Sequence, residues 1–479
     1  MARLQPGRRR IAVVAVTIAS AILLLAAGAV SYLRAEAEAI FTPSARLAEA
    51  SSLLSPVPSG GPAIVLLIGT DLHPGARRYA DALILVRIDP SVKAVSITEV
   101  PRTEHVLLPG GGPGLLEETY ALGGPRLTVE WVERLTRIRV NFVAVVDVEG
   151  LRRLVDVAGG VYIDVDHRYA FRGQPGMFAS IHIPAGYQRL DGTHVVQFVR
   201  DRHADSDYVR LGRQLLVLGE LRRQLERVVG SPSHLAPHPL GVISLLHAVA
   251  EAADVAGPDG AIGAREALHW IQAIRAIPPD RVQTVPVASS DPVSLARALD
   301  RFLHPFTDGK PPAMKGSAAH SSAFRNQDSS GAGLTPDDTN RIRDVFGDAG
   351  RRSGLPILYP AVIPGTSSFD SIRVYRIHVG DSSVPAVRAT FACVTPGEYW
   401  GIQETSWRDP PILQGPSRAY VAAGRTYRLY FNGPHLHAVA FEQSGVAIWV
   451  SNTILNRLSV AQMLAVARSL SRVTGSVTR

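Results

Sequence analysis

Residues Ala63-Ile64-Val65-Leu66-Leu67-Ile68-Gly69-Thr70-Asp71 hold six consecutive apolar side chains that run without a break into Gly-Thr-Asp. A short apolar run without alternation predicts a strand buried on both faces, as at the centre of a layered α/β sheet. A second strand is predicted over residues 81–88 and a third over 94–100, with a tight connection at Pro90-Ser91. Residues 127–135 read as helix, 142–148 as strand, 151–157 as helix ending at Gly159-Gly160, and 161–165 as strand. Asp191 is the predicted N-cap of a helix beginning at Gly192. Helical patterns fit 240–253 and 263–275, and 282–287 fits a late strand. Strands interleaved with helices predict an α/β domain over residues 63–305.

Upstream, Arg3, Arg8, Arg9 and Arg10 precede an uncharged apolar run over residues 11–33, long enough to cross a bilayer as one helix. The flanking arginines predict residues 1–10 as a cytoplasmic tail and everything after Arg34 as extracytoplasmic. Cleavage after the small residues Ala35, Ala37 and Ala39 is the rival reading, but a signal h-region is shorter. Residues 34–62 then read as a short juxtamembrane helix and a Pro/Gly-rich tether. A net charge of +8 suggests nucleic acid on its own, and the anchor argues against that partner. The single cysteine, Cys393, excludes an internal disulfide and a cysteine-rich zinc site.

The densest charge pattern is Arg200-Asp201-Arg202-His203-Ala204-Asp205-Ser206-Asp207-Tyr208-Val209-Arg210-Leu211-Gly212-Arg213-Gln214. If residues 195–199 are extended, Arg200 and Arg202 point to one side. Leu211, Leu215, Leu218 and Leu225 predict a helix over about 205–228 that carries Asp207, Arg210 and Gln214 as a polar stripe. Guanidinium forks bind phosphate oxygens bidentately, and aspartates hold the forks in place. An ion-pair network on a helix face would use the same residues; the clustering favours an anion site. Asp71 and Asp81, at the mouths of neighbouring strands, suit a hard cation such as Mg2+, although a strand-end Asp also serves as a turn or cap residue. The glycine-rich stretch 110–114 lacks the Lys-Ser/Thr of a P-loop, and no GxGxxG, HExxH or GxSxG pattern occurs.

In order, the chain presents Gly69-Thr70-Asp71, Asp81, Pro101-Arg102, Tyr120-Ala-Leu-Gly123-Gly124-Pro125, Gly159-Gly160-Val161 and Leu190-Asp191-Gly192. Arg200-x-Arg202 and Asp207-x-x-Arg210-x-x-Arg213-Gln214 follow. The ordered set resembles the LytR–CpsA–Psr family of bacterial cell-envelope phosphotransferases over about residues 62–305. That resemblance implies a membrane-anchored extracytoplasmic enzyme. It would move a glycopolymer with one phosphate from a polyprenyl pyrophosphate carrier to a peptidoglycan hydroxyl, with Mg2+. By matching position, Asp71 and Asp81 would sit at the metal and reacting phosphate. Arg102, Arg200, Arg202, Arg210, Arg213 and Gln214 would grip or frame the pyrophosphate, and Asp207 would orient the arginines. Two positions depart from the family pattern. Thr103 replaces an acid, with Glu104 next to it, and Tyr79 replaces an arginine, with Arg78 placed to substitute. These departures keep open a non-catalytic anchored module that binds lipid-linked glycan and regulates envelope assembly.

Residues 306–354 read as a linker, with a short helix at 336–349, so that protease should release two separately folded pieces. Residues 355–479 read as a β-rich C-terminal domain with strands at 372–379, 386–394, 399–404, 426–431, 438–442 and 446–450. A closing helix starts at the Ser459-x-x-Gln462 capping box. Tyr399, Trp400, Trp407, Tyr427, Tyr430 and Trp449 fit either a sugar-stacking surface or, more in keeping with such residues, core.

Overall fold

The computed structural model describes residues 43–70, 78–173, 180–201, 207–230, 253–262, 266, 269–270, 273–274, 276–277, 281–285, 287, 292–304, 334–336, 339–415, 417–432 and 435–472. Strand β1 (Ala63–Thr70) lies inside a six-stranded sheet with β2 (Ala80–Asp89), β3 (Ala94–Glu99), β4 (Phe142–Asp147), and two edge strands. Alternate residues of β1 feed opposite faces, as the strand period requires. Leu66 and Ile68 join one core with Val129, Val132 and Phe302, while Val65 packs on the other side with Ile88, Val95 and Ile277. Both faces are therefore covered, and the α/β layering expected from the sequence is present. The first core is closed by α1 (Glu118–Thr136), which begins nine residues before the helix expected at 127–135. Gly124 interrupts it at φ +63°, a conformation that glycine adopts without a Cβ clash, and Pro125 starts the second piece.

A second layer follows. Helix α2 (Val148–Val157), strands β5 (Val161–Val165) and β6 (Gly186–Leu190), helix α3 (Gly192–Arg200) and helix α4 (Asp207–Gly230) share one core around Phe198 and Val217. The Asp191 carboxylate accepts from His194 N–H at the start of α3, as the cap reading expects. Residues 195–199 are helical, so the extended reading that placed Arg200 and Arg202 on one side is corrected. Capped at Asp191, the segment turns Val195, Phe198 and Val199 inward at i, i+3 and i+4. The sheet's edge strands are β7 (Ala253–Ala256), beside β4, and β8 (Val282–Val285), beside β3; α5 (Pro292–Leu303) covers the latter side. The helix expected at 240–253 lies almost wholly outside the described residues, and its last residue opens β7.

Two further expectations change. Residues 43–56 are not a loose tether. Leu47, Ala50 and Leu54 lie in the main core, and Asn141 donates its side-chain amide to Ser55 O at 2.8 Å. Among the described residues no helix is long and apolar enough to cross a membrane; residues 11–33 fall outside them.

The C-terminal region is a seven-stranded antiparallel sheet. Its strands are β9 (Ser367–Val379), β10 (Ser382–Cys393), β11 (Tyr399–Thr405), β12 (Arg418–Ala422), β13 (Arg425–Asn432), β14 (His435–Gln443) and β15 (Val446–Ser451), ordered β9-β10-β11-β15-β14-β13-β12. One face is packed by α6 (Thr339–Ser353), through Ile342, Phe346 and Ala349, and by α7 (Val460–Ser469). The compact unit therefore begins upstream of the expected boundary at 355. The capping box at Ser459 and Gln462 forms. Trp400, Trp449, Tyr427 and Tyr430 are buried, which places them in the core.

The opposite face of this sheet packs on the α/β domain. Tyr187 of β6 shares a core with Ile412, Tyr430 and Trp449. Arg388 of β10 pairs with Asp164 of β5 at 2.9 Å, both nearly solvent-free, and Trp449 Nε1–H donates to the other Asp164 oxygen at 3.0 Å. A Cβ on Gly401 would lie 2.4 Å from the Arg388 guanidinium, so glycine there lets the side chain pass. Two separately folded pieces are not what the structure contains; the halves share an apolar core and a buried ion pair.

Candidate active site at the strand ends

The ends of the central strands converge. β2 runs antiparallel to β1 and β3, and β4 parallel to β1, so Thr70, Asp81, Glu99 and Asp147 gather at one end of the sheet. Open α/β sheets bind ligands at such an end, beyond the carboxyl termini of the strands. Opposite Gly69 and Thr70 the register skips: Gly69 pairs with Ala82 and Thr70 with Ala80. Asp81 is the extra residue. A bulge re-aims the side chain it carries, and here it presents a carboxylate that stays one-third exposed.

Arg102, two residues past Val100, reaches back toward it. Its Nη1 lies 4.0 Å from Asp81 Oδ1 and makes a short contact with the Glu117 carboxylate. Glu117 is fixed by its backbone, which donates to Arg102 O at 2.9 Å and accepts from Ala80 N–H at 3.1 Å. The acid beside Arg102 is thus Glu117 and not Glu104, whose carboxyl burial pushes above its ordinary value. Sequence reading passed over Glu117; its position just before the Tyr120-to-Pro125 motif is the only local signal. The Arg102 Nε and the Thr70 hydroxyl are buried and have no hydrogen-bond partner among the described residues.

At the end of the neighbouring strand β3, Glu99 lies 4.0 Å from Nη2 of Arg210, an almost fully buried residue of α4. Arg213 is fully buried. It donates to Asp201 O at 2.5 Å and to the Tyr169 hydroxyl at 3.4 Å, and lies over the Tyr169 and Phe198 rings. It braces the exit of α3. Arg200 ends α3 and is exposed; Gln214 is half-buried on α4. Arg78 is exposed and bonds Tyr120, whose hydroxyl burial pushes upward against the nearby Arg78 and Arg46 charges. The structure therefore brings together Asp81, Arg102 and Glu117, with Arg210 and Glu99 on the adjoining strand end. Asp71, Arg202 and the Asp207 side chain lie outside the described residues.

Among the described residues no three His, Cys, Asp or Glu side chains gather as a metal cage. Magnesium does not need one, since it usually keeps several waters and takes one or two carboxylates plus phosphate oxygens. Asp81, a hard oxygen donor partly open to solvent at the sheet end, fits that chemistry.

Residues 31–229 match the family model described as LytR_cpsA_psr family. Over this segment the chain is similar to the LytR–CpsA–Psr family. Regulatory protein MsrR of Staphylococcus aureus is 27% identical over 173 residues, 36% of this chain and 51% of that protein. A protein of Bacillus cereus named polyisoprenyl-teichoic acid–peptidoglycan teichoic acid transferase TagU is 29% identical over 160 residues, 33% of this chain and 50% of its own length. The chain spans about half the length of the relatives it matches. The crystal structure of B. subtilis TagV overlays 53% of this chain and 99% of its own at 22% identity, with a TM-score of 0.42.

Proposed function

We propose that the chain is a membrane-anchored extracytoplasmic phosphotransferase that moves a glycopolymer, with one phosphate, from a polyprenyl pyrophosphate carrier to a peptidoglycan hydroxyl. The observation that carries this reading is the bulged Asp81 beside Arg102 at one sheet end, within the segment that matches the family model. The teichoic acid transferase TagU, similar to this chain, supports the transferase class and the peptidoglycan acceptor. The arginine-flanked apolar run at residues 11–33 supports the anchor.

In the reaction the acceptor oxygen forms a bond to the phosphorus that bears the glycopolymer. The bond from that phosphorus to the bridging oxygen breaks, polyprenyl phosphate leaves, and the hydroxyl proton passes to solvent. Such transfers need positioning and charge neutralisation more than covalent help from the protein. Bound magnesium, held by Asp81 and Asp71, would neutralise charge on the phosphates. Arg102 supplies a guanidinium held in place by Glu117, and Arg200 extends a second from the end of α3. Arg210 and Glu99 frame the adjoining strand end, and Arg78 lies at the rim.

The test is full-length chain in detergent micelles with magnesium and a polyprenyl pyrophosphate-linked glycan, following release of polyprenyl phosphate. Turnover that disappears in Asp81→Asn is the expected result. Tight binding without turnover in the wild type overturns the enzyme and favours the non-catalytic glycan-binding module. The observation on the side of that module is that Arg102 already holds a carboxylate while Thr103 offers none.

A further inference from the structure

The loop after β5 connects the two halves of the molecule to the arginine segment. Asp166 is buried there; its Oδ2 meets His167 Nδ1 at 3.1 Å and its Oδ1 accepts from the Tyr169 hydroxyl at 2.8 Å. The His167 ring lies between two aromatic rings, Tyr169 at 4.1 Å and, nearly parallel, Tyr399 of the C-terminal sheet at 4.1 Å. Thr390 Oγ1 of the same sheet donates to Asp166 O at 3.4 Å, and Arg388 clamps Asp164 two residues earlier. On the other side Tyr169 touches Arg213, whose second nitrogen holds the Asp201 carbonyl at 2.5 Å. Asp201 follows Arg200 and precedes Arg202 in the chain. Burial alone would raise the Asp166 carboxyl, yet His167, Tyr169 and Arg213 together hold it below the usual carboxylate range.

We propose that the C-terminal sheet is a positioning element of the strand-end site. Tyr399 and Thr390 hold Asp166 and His167, these hold Tyr169 and Arg213, and Arg213 fixes the Asp201 carbonyl, one residue beyond Arg200 at the end of α3. The proposal rests on the reading of Arg200 as a pyrophosphate ligand. A functional side chain is held to within a fraction of an ångström only when its supporting shell is itself locked by packing and hydrogen bonds. Here the lock comes from a different part of the chain. A second contact runs the same way: a Cβ on Gly212 of α4, between Arg210 and Arg213, would lie 2.4 Å from Ile454 of the C-terminal region. Tyr399, Thr390 and Arg388 are positioning residues in this scheme, not catalytic ones.

The test uses full-length chain in detergent micelles and two probes: geranylgeranyl pyrophosphate, and geranylgeraniol, which has the tail without the phosphates. Tyr399→Ala is expected to weaken pyrophosphate binding roughly three- to thirty-fold, the span typical of coupling through packed networks, and to leave geranylgeraniol binding unchanged. Tyr399→Phe keeps the stacked ring and should bind both probes like the wild type. Should Tyr399→Ala fail to fold, Tyr399→Leu retains the apolar bulk without the stack and carries the same expectation. Equal loss of both probes means general damage and overturns the proposal. Unchanged pyrophosphate binding in a folded Tyr399 variant, with Arg200→Ala impaired, overturns the relay and leaves the phosphotransferase site standing. If Arg200→Ala binds normally too, the site reading falls and takes the relay with it.

Discussion

Two of the places where arginine meets carboxylate in this molecule differ in kind. At the domain junction the Asp164 carboxylate has each oxygen engaged, by Arg388 at 2.9 Å and Trp449 at 3.0 Å, and both ions are almost without solvent. At the strand ends Arg102 and Asp81 stand 4.0 Å apart, and Asp81 is one-third exposed. The first arrangement is closed and consumes its charges internally. In the second Arg102 also pairs with Glu117, and Asp81 keeps a solvent-facing side. Residue type is the same in both; burial and separation distinguish a bolt from a binding site.

The comparison can be broken most sharply at the bolt. Arg388→Ala should cost about 3–5 kcal/mol of unfolding free energy, because it leaves Asp164 buried and uncompensated. Urea titration of the full chain measures this. The Asp164→Leu/Arg388→Met double variant should recover most of the loss, and a single-variant cost below about 1 kcal/mol would erase the contrast.

At the strand ends the loss should be in binding and not in folding. Arg102→Ala should weaken affinity for a polyprenyl pyrophosphate by about 1.5–3 kcal/mol, the worth of a hydrogen bond to a charged group. Its melting temperature should stay close to that of the wild type. Arg102→Lys should recover part of the affinity, since it restores charge without the planar fork.

Glu404 gives a third case, a buried carboxyl whose oxygens accept from Leu358 N–H at 2.9 and 3.1 Å. Burial pushes its pKa from 4.5 to about 8. The folded value lies above the unfolded one, so its contribution to stability is complete below about pH 4.5 and is lost as pH rises through about 8. Between pH 6 and 8 the wild type should lose on the order of 2 kcal/mol through this group, and Glu404→Gln should flatten that slope in thermal melts. Identical pH slopes in the two proteins would show that the carboxyl does not titrate as placed. The smallest effect is expected from Gly212→Ala, about 1 kcal/mol of overpacking against Ile454, read by urea titration; no change would mean that the loop yields.

Much of the scaffold was legible because its signals are local. The apolar run at residues 63–68, the Asp191 cap and the Ser459-Gln462 capping box are each decided within a few residues, and each formed where expected. The arginine segment was half legible. Arg200, Arg210 and Arg213 were all proposed as ligands, but burial makes Arg213 a brace for Asp201, and burial depends on Tyr169 and Phe198, far away in the chain. The Asp81 bulge depends on cross-strand register, and Glu117 enters the site through backbone bonds to Arg102 and Ala80. Neither leaves a periodic trace. The docking of residues 43–56 and of the C-terminal sheet was hidden for the same reason, since side chains that meet across hundreds of positions share no spacing.

The shared core also bears on how the protein can be handled. Tyr187 has no solvent exposure in the intact chain, and Tyr162 stacks on it beside Trp407. A truncation after residue 304 would turn this aromatic face toward water, with the Asp164 charge at its centre. Contiguous apolar faces of that kind drive self-association. The shortened protein should therefore precipitate where the full chain stays in solution, even though its central sheet and every strand-end residue remain in the sequence.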